Sequence, residues 1–85
     1  VEQFKISPNP ALNSAFLTLN ANISFNAKII VTDFMGKTVL AQNVFVNAGA
    51  NTIALNNISQ LHNGMYVVQV TGDGVKISGK LIISK

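Results

Sequence analysis

LHNGMYVVQVTGDGVKISGKLIISK, residues 61–85, is the stretch that decides the fold. Tyr66, Val68 and Val70 alternate with Val67, Gln69 and Thr71, the two-residue period of a strand with one buried face. Gly72-Asp73-Gly74 supplies residues that accept positive φ, so the chain reverses there in a tight hairpin. A second strand follows from Val75 to Ile83, with a bulge or bend expected at Gly79. Two antiparallel strands joined this way are the closing hairpin of a small β-sandwich.

Working back toward the start, turn signals recur at short intervals, as they do in sandwiches and barrels. Asn56 to Asn63 has no strand alternation, and Ile58 and Leu61 stand three apart, the spacing of a 3₁₀ turn. We expect it to cap one end of the sandwich. Before it lies a short strand from Thr52 to Leu55, with Ile53 and Leu55 on one face, preceded by a turn over Asn47 to Asn51. Thr38 to Val46 and Lys28 to Phe34 form another hairpin. Its turn, Asp33-Phe34-Met35-Gly36-Lys37, carries an aspartate able to bond the backbone ahead of it and a glycine for positive φ. Ile29 and Val31 face one way, Lys28, Ile30 and Thr32 the other. Phe16 to Leu19 and Phe4 to Ile6 complete seven strands, with a turn at Asn20-Ala21-Asn22. Ser7-Pro8-Asn9-Pro10 ends the first strand, because two prolines remove two backbone donors. No helical run of ten residues appears. The expected fold is all-β, an immunoglobulin-like Greek-key sandwich of about seven antiparallel strands in one domain, residues 1–85.

Composition agrees with a packed domain. Hydrophobic residues make up 48% and charged residues 11% of the 85, and the mean hydropathy is +0.38, unlike the charged, apolar-poor make-up of disordered chains. There is no cysteine to staple the thin core that so short a chain can bury. No apolar run approaches the ~20 residues of a membrane span. The chain opens on Val1 with neither an initiator Met nor a signal peptide, and is read as a piece of a longer protein.

The function classes narrow quickly. Net charge is +3, from six Lys and no Arg. Lys5, Lys28, Lys37, Lys76, Lys80 and Lys85 are scattered, without the clustered Arg and stacking aromatics of a nucleic-acid binder. His62 is the sole histidine and reads as a solvated turn residue, since a metal site needs several ligands. Asp73 alone cannot supply the six to eight oxygens of calcium. Glu2, Asp33 and Asp73 are the only carboxylates, and no Ser lies in a nucleophile elbow. No enzyme, no cofactor and no metal is expected. Phe16, Phe25, Phe34, Phe45 and Tyr66 are assigned to the core. A sugar-stacking strip is the competing assignment.

The order of these marks resembles one family over nearly the whole chain: the type A C-terminal sorting domain of the type IX (Por) secretion system of Bacteroidetes. The residues that carry the resemblance are Pro8-Asn9-Pro10, Asp33-x-x-Gly36-Lys37, Gly49-x-Asn51-x-Ile53-x-Leu55, Leu61-x-x-Gly64-x-Tyr66 and Lys80-Leu81-Ile82-Ile83 running to Lys85. Lys80 and Lys85 stand further apart than the closing basic residues of the family often do. The resemblance implies a folded signal behind an N-terminal cargo domain, exported to the periplasm of a Gram-negative bacterium. The outer-membrane translocon would recognise it there. A sortase-like cysteine peptidase would then cut at or before the first strand, upstream of Val1 or within residues 1–5. The cargo would be secreted or held at the cell surface on an anionic lipopolysaccharide.

Lys80, Leu81, Ile82, Ile83 and Lys85 are the expected translocon-recognition residues, read by strand addition to a last strand that ends free. Pro8, Asn9, Pro10, Asp33, Gly36, Lys37, Gly49, Asn51, Leu61, Gly64 and Tyr66 are expected to be mainly structural. The rival readings are an appended carbohydrate-binding or adhesion module of a secreted enzyme, and an inert spacer. Val75 to Ile83 is strongly β-prone, guarded only by Lys76 and Lys80, so weak self-association through this edge or its neighbour is also expected.

Overall fold

A computed structural model describes residues 2–8, 11 and 13–85, with residues 2 and 3 described by backbone alone. Seven strands and one 3₁₀ turn follow in order: β1 Glu2–Ser7, β2 Phe16–Ala21, β3 Phe25–Asp33, β4 Thr38–Val46, β5 Gly49–Ala54, the turn Ile58–Gln60, β6 Gly64–Gly72 and β7 Val75–Ile83. They make two antiparallel sheets, β1-β2-β5 and β4-β3-β6-β7. This is an immunoglobulin-like sandwich in which the fourth strand joins β3, rather than the sheet of the first two strands as in constant-type domains.

Alternation along the strands builds the core. Leu17, Leu19 and Ala21 of β2, Ile29 and Val31 of β3, Tyr66, Val68 and Val70 of β6, and Leu81 and Ile83 of β7 are buried between the sheets. Ile58 and Leu61 close one end, as their spacing predicts. No polar or charged residue is buried among those described, so the core needs no internal polar partners.

The aromatic assignment is corrected. Phe25 and Tyr66 are buried, but Phe16, Phe34 and Phe45 are exposed. The reason is register. Phe16 and Phe45 directly precede the inward Leu17 and Val46, and a one-residue offset puts a strand side chain on the opposite face. Phe34 stands at the tip of the β3–β4 hairpin. Ala11, Ala15, Ala21 and Ala27 fill core positions instead.

Three turn assignments also shift. β2 runs through Ala21, so the chain bends at Asn22 and Ile23 rather than at residues 20–22. The loop after β4 is confined to Asn47 and Ala48, because Gly49 already pairs with Ala21. Gly79 forms no bulge: it faces Val68 in an unbroken β6–β7 register. Its role is to leave room. A Cβ there would lie 2.5 Å from Phe4 Cε2 and 3.3 Å from Ile6 Cδ1, so the missing side chain lets β1 settle onto β7. Gly72 serves a stricter version of the same need, since a Cβ on it would collide with the Asn26 carbonyl oxygen.

The last strand does not end free. Ala11, from the β1–β2 connection, forms a parallel bridge with Ile83. Its N–H donates to the Ile82 carbonyl at 2.7 Å, and its carbonyl accepts from Ser84 N–H at 2.9 Å. The physical reason is the crossover. A chain passing from β1 to β2 beside the end of β7 finds outward-facing backbone groups there and satisfies them.

Tyr66 fixes the entry to β6. Its hydroxyl donates to the His62 carbonyl at 2.7 Å, the tyrosine corner of immunoglobulin-like folds.

Two expectations for stability follow from these contacts. Gly72→Ala should cost about 1–3 kcal/mol, as overpacking does, and more than Gly79→Ala, whose obstacle is a ring that can turn aside. Chemical denaturation of the two variants checks the order. Tyr66→Phe should cost about 1 kcal/mol for one lost hydrogen bond, lowering Tm by roughly 4–8 °C, as read by calorimetry.

Candidate functional site

The sequence motifs are scattered over the chain, but the topology gathers most of them at one end of the sandwich. Asp33 pairs with Tyr66, and Tyr66 with Leu81. Gly64 pairs with Ile83, and Ile83 bridges Ala11. The β3–β4 hairpin, the segment from Ile58 to Tyr66, the end of β7 and the β1–β2 connection therefore meet. Gly49 and Asn51 lie toward the opposite end, with the start of β1, because Gly49 pairs with Ala21, Asn51 with Leu19, and Glu2 with Asn20.

Each motif is built from local chemistry. At the hairpin, Asp33 Oδ1 accepts from Met35 N–H at 2.9 Å and Lys37 N–H at 3.0 Å. Gly36, at φ 87°, donates its N–H to the Asp33 carbonyl at 3.0 Å. The carboxylate thus organises the turn. Leu61 is buried beneath the corner that Tyr66 ties to His62. At the far end, Asn51 closes its loop, accepting from Asn47 N–H at 2.9 Å and donating Nδ2 to the Asn47 carbonyl at 2.8 Å. Pro8 is exposed at the bend after β1, while Asn9 and Pro10 lie outside the described residues.

The five expected recognition residues divide by strand alternation. Leu81 is 0% exposed and Ile83 1%, so both are core. Lys80 and Ile82 face outward on the four-stranded sheet. Lys85 is exposed and docked: its backbone N–H donates to Asn63 Oδ1 at 2.9 Å, and its Nζ donates to the Ser59 carbonyl at 2.7 Å. A partner meeting the folded domain here touches Lys80, Ile82 and Lys85, while Leu81 and Ile83 anchor the strand from within.

Around them the surface is apolar with a basic rim. Phe34 and Met35, at the hairpin tip, are 79% and 80% exposed. Met65, paired with Ile82, and Val67, paired with Lys80, are exposed on the adjoining face. Lys37, Lys80 and Lys85 supply positive charge at this end. Asp33, the carboxylate here, is turned onto its own hairpin. A cleft of about 310 Å³ opens between Leu40, Gln60, His62 and Tyr66. Such a surface suits a partner with apolar side chains ringed by acidic ones.

Sequence reading missed Ala11, Ser59 and Asn63, whose roles are contacts across the fold. It also missed the exposed apolar tip, although Phe34 and Met35 occupy the two central positions of a recognised turn.

Among the described residues no three His, Asp or Glu side chains gather to hold a metal, and no helix is long and apolar enough to cross a membrane. The exposed phenylalanines form no common strip. Phe16 lies on the three-stranded sheet, Phe45 on the four-stranded sheet toward the far end, and Phe34 at the hairpin tip.

No curated protein matches the chain. A family model described as the secretion system C-terminal sorting domain matches residues 5–84, and so takes in the hairpin, the tyrosine corner and the last strand together. That family is one of sorting signals for secreted or cell-surface proteins that engage the secretion machinery, and it is not an enzyme family. The chain belongs to the C-terminal sorting domains of the type IX (Por) secretion system.

Proposed function

We propose that this domain is the type A address label of a longer Bacteroidetes protein, with the cargo attached ahead of residue 1. In this reading the passenger crosses the inner membrane first. The label folds in the periplasm of the Gram-negative cell, and the outer-membrane translocon then recognises it. A sortase-like cysteine peptidase removes it at or before β1, upstream of Val1 or within residues 1–5. The cargo is released or joined to an anionic lipopolysaccharide at the surface. The label itself is non-enzymatic and takes no cofactor.

The observation that carries this reading is the polarity of the domain. Glu2 pairs with Asn20 at one end, whereas the end of β7 meets the β3–β4 hairpin and the tyrosine corner at the other. A cargo entering at the first end leaves the motif end uncovered. The recognised features there are side chains on a finished sandwich: Lys80, Ile82 and Lys85, beside Phe34 and Met35. On this reading recognition does not proceed by strand addition to the end of β7, where Ala11 already pairs with Ile82 and Ser84.

This geometry dictates the test. Deleting residues 82–85 removes Ile83 from the core, so lost export after that deletion reports on folding as much as on recognition. Exposed positions separate the two. A fluorescent protein with a periplasmic signal, fused ahead of residues 1–85, is expressed in Bacteroidetes hosts with and without a working type IX system. Export should occur only in the competent host. A Lys80→Ser, Ile82→Ser double variant should keep a melting point within a few degrees of the parent, as exposed substitutions do, and lose export by roughly tenfold or more, the factor of about 1.4 kcal/mol in binding. A parent fusion retained in the periplasm of both hosts would refute the sorting role. Undiminished export of the double variant would refute the assignment of these two residues.

A further inference from the structure

Each sheet has two edge strands, and the structure treats the four differently. At the end of β7, Ala11 takes up Ile82 and Ser84, and Lys76 and Lys80 stand along the rest of the strand. The edge of β5 is covered from the opposite sheet: Gln42 donates Nε2 to the Ala54 carbonyl at 3.2 Å, and its Oε1 accepts from Asn56 N–H at 2.9 Å. β1 carries the exposed Lys5 and a register shift between Glu2 and Lys5. Charges, irregularities and covering groups are the ordinary guards of an edge. Among the described residues β4 pairs with β3 alone, and its nine residues, TVLAQNVFV, include no charge, no proline and no glycine.

The ladder identifies which groups β4 presents. A two-residue hairpin makes Gly72 and Val75 a hydrogen-bonded pair, and antiparallel ladders alternate from there. The alternation turns Ile82 and Ser84 outward from β7, where Ala11 indeed meets them. Carried through β6 and β3, it directs Leu40, Gln42 and Val44 toward β3, and the backbone N–H and C=O groups of Ala41, Asn43 and Phe45 toward the open edge.

We infer that β4 is a self-association edge whose occupant is the β4 strand of a second copy, laid antiparallel and centred on Asn43. The edge is complementary to itself in this register. The outward groups of Ala41, Asn43 and Phe45 meet those of Phe45, Asn43 and Ala41. On the outer face each Phe45, 56% exposed in the single chain, lies beside the small Ala41 of the other copy. The two Asn43 amides stand opposite one another, where they can exchange a hydrogen bond. The net charge of +3 does not oppose the contact. The nearest lysines in the row are the two Lys28, each one strand behind its Asn43, and three strand spacings place them roughly 14 Å apart, beyond the screening length of about 8 Å. The result is one continuous eight-stranded sheet with two-fold symmetry. The self-association expected at β7 or its neighbour is thereby moved to the opposite edge of the same sheet, because β7 is guarded and β4 is not.

The inference does not depend on the sorting role and is tested on the 85-residue chain itself. The chain has no cysteine, so single replacements report on one contact each. Antiparallel hydrogen-bonded partners have Cα atoms about 5.5 Å apart, inside the range a disulfide spans. Asn43→Cys should therefore form a covalent dimer on mild oxidation, and Ser78→Cys, on the outer face of β7, should not. In sedimentation velocity the parent should show a concentration-dependent dimer, which Asn43→Lys weakens by roughly tenfold or more by setting two like charges opposite each other. Far-UV circular dichroism confirms that the variants remain folded. A parent that stays monomeric at millimolar concentration, or cross-linking of Ser78→Cys as readily as of Asn43→Cys, would overturn the inference.

Discussion

The short bridge from Ala11 to Ile82 and Ser84 is the contact on which the rest of the structure depends. It joins the connection between the first two strands to the end of the last one, and so ties the two sheets together where the core would otherwise be open. A small domain with no cysteine to form a disulfide has little margin. Its closing strand must therefore do structural work. Leu81 and Ile83 are fully buried, and the backbone between them is held on both sides. One side is the β6 ladder and the other is Ala11.

That constraint shapes how the domain acts as a signal. The residues that end the chain are shared between fold and surface by simple strand alternation: one set faces the core, the other faces outward. If recognition falls on Lys80, Ile82 and Lys85, as proposed, the machinery thereby inspects a completed sandwich, since these side chains hold their places only when Leu81 and Ile83 are buried beneath them. Lys85 is itself held by Ser59 and Asn63, so the tail, the 3₁₀ turn and the tyrosine corner form one unit. The hairpin that carries Phe34 and Met35 joins it through the pairing of Asp33 with Tyr66.

Much of this was legible in the sequence, for physical reasons. Strands with one buried face announce themselves by period two, which is why β3, β4, β6 and β7 are read within a few residues of their true limits. Asp33 and Gly36 mark their turn because each solves a local backbone problem, and Leu61-x-x-Gly64-x-Tyr66 marks the corner. What was not legible is long-range. Nothing in the residues around Ala11 says that it will pair with Ile83. Gly79 reads as a kink from its own strand, and only the position of Phe4 shows that it is a gap. Residue type alone sends Phe16, Phe34 and Phe45 to the core as it rightly sends Phe25, although the alternation around Leu17 and Val46 points Phe16 and Phe45 outward.

Amide hydrogen exchange on the intact chain tests the central claim most directly, that the end of β7 is clamped into the fold rather than hanging as a tail. The account predicts that the N–H groups of Ala11 and Ser84 exchange as slowly as those of Val68 and Val70 in the core, through global unfolding. Rapid exchange at Ala11 and Ser84 with the core still protected would contradict it.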